Sequence, residues 1–144
     1  MKIVISLLLL FLPLLQSCGF VYERHLTGNY YLIAVDTKDD MDVCYHQQHD
    51  DDAPYVGITD ASVYEMGYDD DFILAKAYRT LRDSMGRSLH RYDKNITEYY
   101  IIPVNNTQEA WEAQENKFGA FSDKEFEVKR KELGVSDDIT FEKL

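Results

Sequence analysis

The densest group of side chains able to ligate a metal lies between Cys44 and Asp52. Thiolate, imidazole and carboxylate groups are the ligands that zinc and similar ions take in proteins. The residues predicted to bind a metal are His46, His49 and Asp50, and Cys44 shares a strand face with His46. Their spacing matches no closed zinc module, and the same composition is typical of a solvated turn. Metal binding is therefore an alternative interpretation of this sequence. No cofactor is predicted.

Motifs of the common catalytic machineries are not found in the sequence. No serine stands in a nucleophile-elbow pattern, and Cys44 has histidine only along its own strand. No glycine-rich phosphate-binding loop occurs, and paired carboxylates carry little information in so acidic a chain. Asp69–Asp71 lacks the alternating ligands of a calcium loop and predicts a hairpin turn. The sequence therefore favours a protein without enzymatic activity.

The other cysteine of the chain, Cys18, follows an apolar run at the N-terminus. The run from Ile3 to Leu15 has the length of a signal-peptide core and is short for a membrane span. The sequence Leu15-Gln16-Ser17-Cys18 resembles a bacterial lipobox, which predicts cleavage before Cys18 and acylation of its thiol. Several acyl chains would anchor the protein to a membrane without a spanning helix. Because Gln16 stands where a small residue is usual, ordinary secretion by cleavage after Gly19 stays open.

This N-terminal motif predicts both the location and the division of the chain. Residues 1–17 are assigned to the signal peptide, 18–27 to the lipidated cysteine and a short tether, and 28–144 to a single domain. Gly19 is not the acidic residue that tends to retain lipoproteins at an inner membrane. The predicted location is therefore the bacterial cell envelope, at the outer membrane, with a secreted or periplasmic protein as the alternative. The apolar stretch from Phe20 to Tyr22 either forms a first strand or lies at the membrane interface.

The charge of the chain limits its partners. After removal of residues 1–17, 14 basic and 26 acidic side chains remain, a formal charge of −12. This balance argues against nucleic acid and anionic lipid as partners. The acidic charge permits a cationic protein as partner, and an inhibitor of a lysozyme is one specific hypothesis of this kind. A requirement for solubility explains the acidic charge equally well. With Cys18 acylated, Cys44 is an unpaired thiol.

The remaining sequence predicts strands first and helices afterwards. Tyrosine-rich and β-branched runs indicate strands, and two N-cap patterns, each with a glutamate three residues after the cap, indicate helices. In the second pattern Ser122 and Glu125 form a capping box. The predicted strands are 29–36, 41–46, 55–58, 62–68, 72–78, 96–104 and a short one at 139–141, and the predicted helices are 106–115 and 123–133. The fold class is therefore α+β, an antiparallel β-meander of about five to six strands with one or two C-terminal helices packed on it.

These segments carry a resemblance to a known domain family. In chain order they read GNYYLIAVD, YVGIT, VYEMGYDDDFILAKAY, ITEYYIIPV and FSDKEFEVKRKELGV. Together they resemble a domain family of unknown function found in small bacterial lipoproteins, from about Gly28 to Phe141. The resemblance implies no functional residue, because this family has no assigned activity. Its motifs are those of strands and turns, which indicates that they encode the fold.

A basic segment interrupts the acidic chain. Residues 80–95 are predicted to form a long loop, and the cations in and beside it are Arg79, Arg82, Arg87, His90 and Arg91. Long loops in compact domains are often functional or mobile, so this loop is a candidate contact segment, with disorder as the alternative. The leading hypothesis is a lipid-anchored, non-enzymatic binding module of the cell envelope.

Overall fold

The chain forms two antiparallel β-sheets that face each other, with a helix on the far side of the second sheet. The computed structural model describes residues 19–47, 53–60 and 62–144. Within those residues, no helix is both long enough and apolar enough to cross a membrane.

The first sheet has the strand order β1-β2-β3-β4 and the second the order β8-β7-β6-β5-β9. The strands of the first sheet are β1 (Tyr22–His25), β2 (Tyr30–Ala34), β3 (Asp42–His46) and β4 (Tyr55–Gly57). Those of the second are β5 (Val63–Tyr68), β6 (Phe72–Arg82), β7 (Ser88–Pro103), β8 (Phe118–Phe121) and β9 (Glu142–Lys143). Helix α1 spans Ala110–Glu115, α2 spans Asp123–Glu132, and a 3-10 turn covers Lys38–Asp40.

The main core lies between the two sheets. Period-two alternation along β3 turns Val43 and Tyr45 into this core, together with Met41 just before the strand, as the sequence predicts. Asp42, Cys44 and His46 therefore lie on the opposite, outer face of the first sheet. The strand predicted at 29–36 is confirmed as β2, which is paired on both edges and whose residues 32–34 are buried.

A second apolar cluster covers the outer face of the second sheet. Phe126 of α2 is fully buried against Leu74 of β6 and Ile101 of β7. The predicted capping box at the start of this helix is confirmed, since Ser122 and Glu125 bond to each other's backbone N–H groups. The chain leaves the helix at Gly134 with a φ of +67°, a conformation that glycine adopts without strain.

The α+β class, the antiparallel strands and the C-terminal helix are confirmed, and the number of strands is larger than predicted. β1 begins at Tyr22, where a first strand was one of two alternatives, and β8 was not predicted. The last strand lies at Glu142–Lys143, because residues 139 and 141 pack as apolar anchors into the cluster under α2. Helix α1 begins later than predicted, and its capping box joins Glu109 to Glu112.

The predicted loop at residues 80–95 is wrong. β6 and β7 continue as a two-stranded arm to a tight turn at residues 83–87. Asp83 accepts the backbone N–H groups of Met85 and Arg87, and Gly86 has a φ of +78°. Along this arm, defined as residues 79–95, the cations of the predicted contact loop lie on paired strands or in the turn: Arg79, Arg82, Arg87 and Arg91.

The sequence of the arm predicts a loop because both faces of the arm are largely exposed. Without a buried face, the apolar alternation that identifies a strand does not develop. Residues 94–96 bulge out of β7 between the pairs Tyr78–Thr97 and Arg79–Asp93, and a second irregularity follows near His90. Bulges bend and twist a strand pair, so they redirect the arm relative to the rest of the hairpin.

Candidate functional site

An open groove of about 1070 Å³ lies on the outer face of the first sheet. Its floor contains Ile33 of β2, Cys44 of β3 and Gly57 of β4; Cys44 is paired with Gly57, and Ile33 is paired with Asp42. Phe20 and Tyr55 form its aromatic border, with their ring centroids 5.4 Å apart in an edge-to-face arrangement. A concave site with an apolar floor and a few polar groups around it is the usual form of a ligand pocket.

One wall of the groove is acidic. It consists of four carboxylates that lie in and around the 3-10 turn, namely Asp36, Asp39, Asp40 and Asp42. Asp42 accepts a hydrogen bond from the backbone N–H of Thr59 at 2.8 Å and another from its hydroxyl. A Cβ on Gly57 would lie only 2.3 Å from Oδ2 of Asp42, so the absent side chain leaves the space that this carboxylate occupies.

The arm forms a second wall, which adjoins the acidic one. Its residues His90, Arg91, Tyr92 and Lys94 face the groove. The Tyr92 hydroxyl donates to Asp40 at 2.7 Å, and the Lys94 ammonium lies 3.2 Å from Asp39. We call these two contacts the latch, because they join the arm of the second sheet to the acidic turn of the first.

The environment of the groove raises the pKa of two of its groups, the Cys44 thiol and the Tyr92 phenol. Burial, and then the charge of Asp42, raises the pKa of the Cys44 thiol far above its usual range. Burial raises the pKa of the Tyr92 phenol too, with further contributions from Asp40, Asp42 and Asp39. Since the thiolate is the nucleophilic form of cysteine, Cys44 in this state is a poor nucleophile.

Aromatic rings continue from the border of the groove across the outer face of the sheet. Tyr31 lies at the centre, with ring centroids at 4.9 Å from His25, 5.2 Å from Tyr55 and 6.2 Å from His46. His46 also lies over Tyr55, at 4.6 Å. Edge-to-face pairs of this kind add modest stabilisation beyond the area that they bury.

The metal prediction remains a prediction. His46 ends β3 within the aromatic group, whereas His49 and Asp50 lie outside the described residues, as does the lipidation candidate Cys18. Among the residues that are described, no cluster of three or more histidine, cysteine, aspartate or glutamate side chains could hold a metal ion.

The structure separates the basic residues of the predicted contact segment. Arg79 pairs with Glu98 at 2.8 Å, and Arg87 pairs with Asp83 within the turn at 2.8 Å. Arg82, which directly precedes the turn, pairs with Asp60. Arg91 and His90 are the members of the predicted set that line the groove. Whether any of them binds a partner remains a prediction.

Sequence reasoning missed most of the groove. The alternation along β3 places Asp42 and Cys44 on one face, and this was the available signal. The sequence did not indicate that Asp36 and Tyr92 line the same groove, because they come together only when the arm folds over the first sheet. Their separation in the chain exceeds fifty residues.

A family model described as "protein of unknown function (DUF3997)" matches residues 27–144. The chain belongs to the DUF3997 family. The match covers strands β2 to β9 and both helices, and therefore nearly all of the groove. No curated protein and no solved structure matches the chain.

Proposed function

We propose that this DUF3997 protein is a lipid-anchored binding module of the bacterial cell envelope, and that the groove is its ligand-binding site. The observation that carries the proposal is the position of the groove beside the point where the chain enters the domain. Phe20 lines the groove, and only Gly19 separates it from the lipobox cysteine Cys18 in the sequence.

Acylation of Cys18 would therefore hold the groove close to a membrane surface. The hydrogen bond from the Val21 N–H to the Ala34 carbonyl ties the entering chain to β2 at the groove. Gly19 after the cysteine favours the outer membrane over the inner one. The tether between the lipid and the folded domain is correspondingly short.

The chemistry of the groove supports binding over catalysis. Its thiol is held in the neutral form, and two of its carboxylates are engaged by the latch. The remaining surface consists of an apolar floor, aromatic rings and charged rims, a combination that is usual in ligand pockets.

The anchor is tested by the mass of the mature N-terminus of the protein purified from bacterial membranes. We expect Cys18 as the first residue, carrying acyl chains, and release of the Cys18→Ser variant from the membrane fraction. An unmodified N-terminus at Phe20 in the wild-type protein would show ordinary secretion and refute the anchor.

The binding site is tested by photo-crosslinking in the cell. Val35 lines the groove and is 56% exposed, whereas Val128 is 62% exposed on the outer side of α2. A photoreactive residue at position 35 should give a discrete crosslinked product that position 128 does not give. The product should disappear when Phe20→Trp is added to fill the border of the groove. Equal products at both positions, or none at position 35, would refute the site.

A further inference from the structure

We propose that the groove receives a basic polypeptide segment of a partner protein, with an arginine or lysine side chain held against the acidic wall. This inference rests on the proposed function, because it names the class of ligand for the same groove. Charge complementarity carries it: four carboxylates line the groove against two permanent cations, Arg91 and Lys94.

The acidic wall is accessible to a partner. Asp36 and Asp39 are exposed at the rim, and Val35 beside them is exposed as well. The ion pair between Asp39 and Lys94 is solvent-exposed on both sides, and such pairs contribute little free energy. A cation from a partner can therefore replace Lys94 at small cost.

The two titratable groups nearest the carboxylates report the same electrostatic environment. The pKa values of the Cys44 thiol and the Tyr92 phenol are both raised, by burial first and by neighbouring aspartates in addition. An environment that disfavours new negative charge attracts positive charge. The groove and its carboxylates provide the geometry, and these shifts agree with it.

The exposed apolar surface and the aromatic border of the groove suit the remainder of a basic side chain. Lysine and arginine bury their aliphatic stems along apolar surface while the charged head stays in a polar environment. Val35 and Phe20 provide exposed apolar surface in the groove, and the rings of Phe20 and Tyr55 provide faces and edges for a guanidinium. A small inorganic cation would make no use of these groups.

The geometry favours an extended segment over a single small molecule. The groove is open to solvent, and its volume of about 1070 Å³ exceeds what a drug-sized molecule fills, so it has room for several residues of an extended chain. Arg91 on the arm also lines the groove and can contact an acidic side chain or a backbone carbonyl group of the same segment.

The test is calorimetric titration of the full chain in detergent micelles with a nine-residue peptide of alternating arginine and valine. The matched peptide alternates glutamate and valine, and spermine serves as a small polycation. The groove variant is Asp36→Asn with Asp39→Asn. The control is Asp137→Asn with Asp138→Asn, which removes the same charge from the exposed turn after α2, beyond the second sheet.

We expect binding of the arginine peptide, no binding of the glutamate peptide, and roughly tenfold weaker binding by the groove variant, about 1.4 kcal/mol. The control variant should bind within about twofold of the wild type, since remote exposed charges are screened. Equal weakening by both variants would assign the binding to the general acidity of the chain and overturn the proposal. Spermine binding as tight as the peptide would overturn the polypeptide ligand.

Two further readouts keep the result interpretable. Asp36→Asn alone leaves the latch intact, so weaker binding by this single variant excludes an effect that acts only through a displaced arm. Failure of the arginine peptide, together with a groove-specific crosslink at Val35, would overturn the basic ligand while the binding site stands. Failure of both would overturn the proposed function as well.

Discussion

The outer face of the second sheet is covered by a helix, whereas the outer face of the first sheet is open. The outer face of the second sheet presents Leu74 and Ile101, and α2 covers them with Phe126. The outer face of the first sheet presents Ile33 and Cys44, and it is bordered by the acidic turn and the arm instead of being covered by a helix. One apolar face is thus part of the core, and the other forms a groove.

This difference separates stability from recognition. An apolar surface that the chain's own helix covers contributes its burial to the free energy of folding. An apolar surface left concave and rimmed by charges is available to a ligand, and such surfaces commonly mark interaction sites. Substitutions on the two faces should therefore have different consequences.

The largest effect is expected from truncating the helix anchor. Phe126→Ala should lower the free energy of unfolding by about 3–5 kcal/mol, because it removes a fully buried ring and leaves a cavity. Tyr55→Ala on the groove face should cost less than about 2 kcal/mol, because its ring is only half-buried. Urea unfolding of the two variants and the wild type measures both values. An equal loss of unfolding free energy in the two variants would contradict the proposed difference between the two faces.

A smaller effect is expected at the start of the same helix. Ser122→Ala removes the oxygen that accepts the Glu125 N–H and should cost about 1 kcal/mol. Ser122→Asn restores an acceptor at this position and should recover most of the loss. Unfolding curves without that recovery would show that the cap is not what holds α2 on the sheet.

The latch between the arm and the groove should contribute least and should depend on pH. Tyr92→Phe removes the hydroxyl that donates to Asp40 and should cost about 0.5–1 kcal/mol near pH 7. The folded state raises the pKa of Tyr92 above the ordinary tyrosine value, so this contribution is present below a pH of about 10 and is lost as the pH rises further.

Thermal unfolding of the wild type and of Tyr92→Phe between pH 7 and pH 11 measures this dependence. The difference between the two proteins should stay constant up to about pH 9 and shrink above about pH 10. Tyr78→Phe, at the base of the arm where the ring stacks on Tyr64, is the control. A Tyr92→Phe difference that grows with pH would contradict the sign of the shift.

Local patterns predicted those parts of the fold whose signals lie close together in the chain. The alternation around Val43 and the capping box at Ser122 each involve neighbouring residues, and both are confirmed. The arm was predicted as a loop because exposed strands lack the alternation that a buried face imposes. β8 was missed because it has only four residues and lies between two helical patterns. Four residues are too few to show the alternation of apolar and polar side chains that identifies a strand.

The amino-acid sequence was enough to establish the α+β class, the buried side of β3, the start and end of α2 and the acidic charge of the chain. It also contains Leu15-Gln16-Ser17-Cys18, whose resemblance to a lipobox supports the proposed location. The division of the strands into two sheets, the covering of one outer face by α2 and the groove beside the arm and the acidic turn on the other became visible only in the folded structure. The reason is that Asp40 and Tyr92 lie fifty-two residues apart in the chain. Contacts over such distances depend on packing and on bulges, which no local pattern encodes.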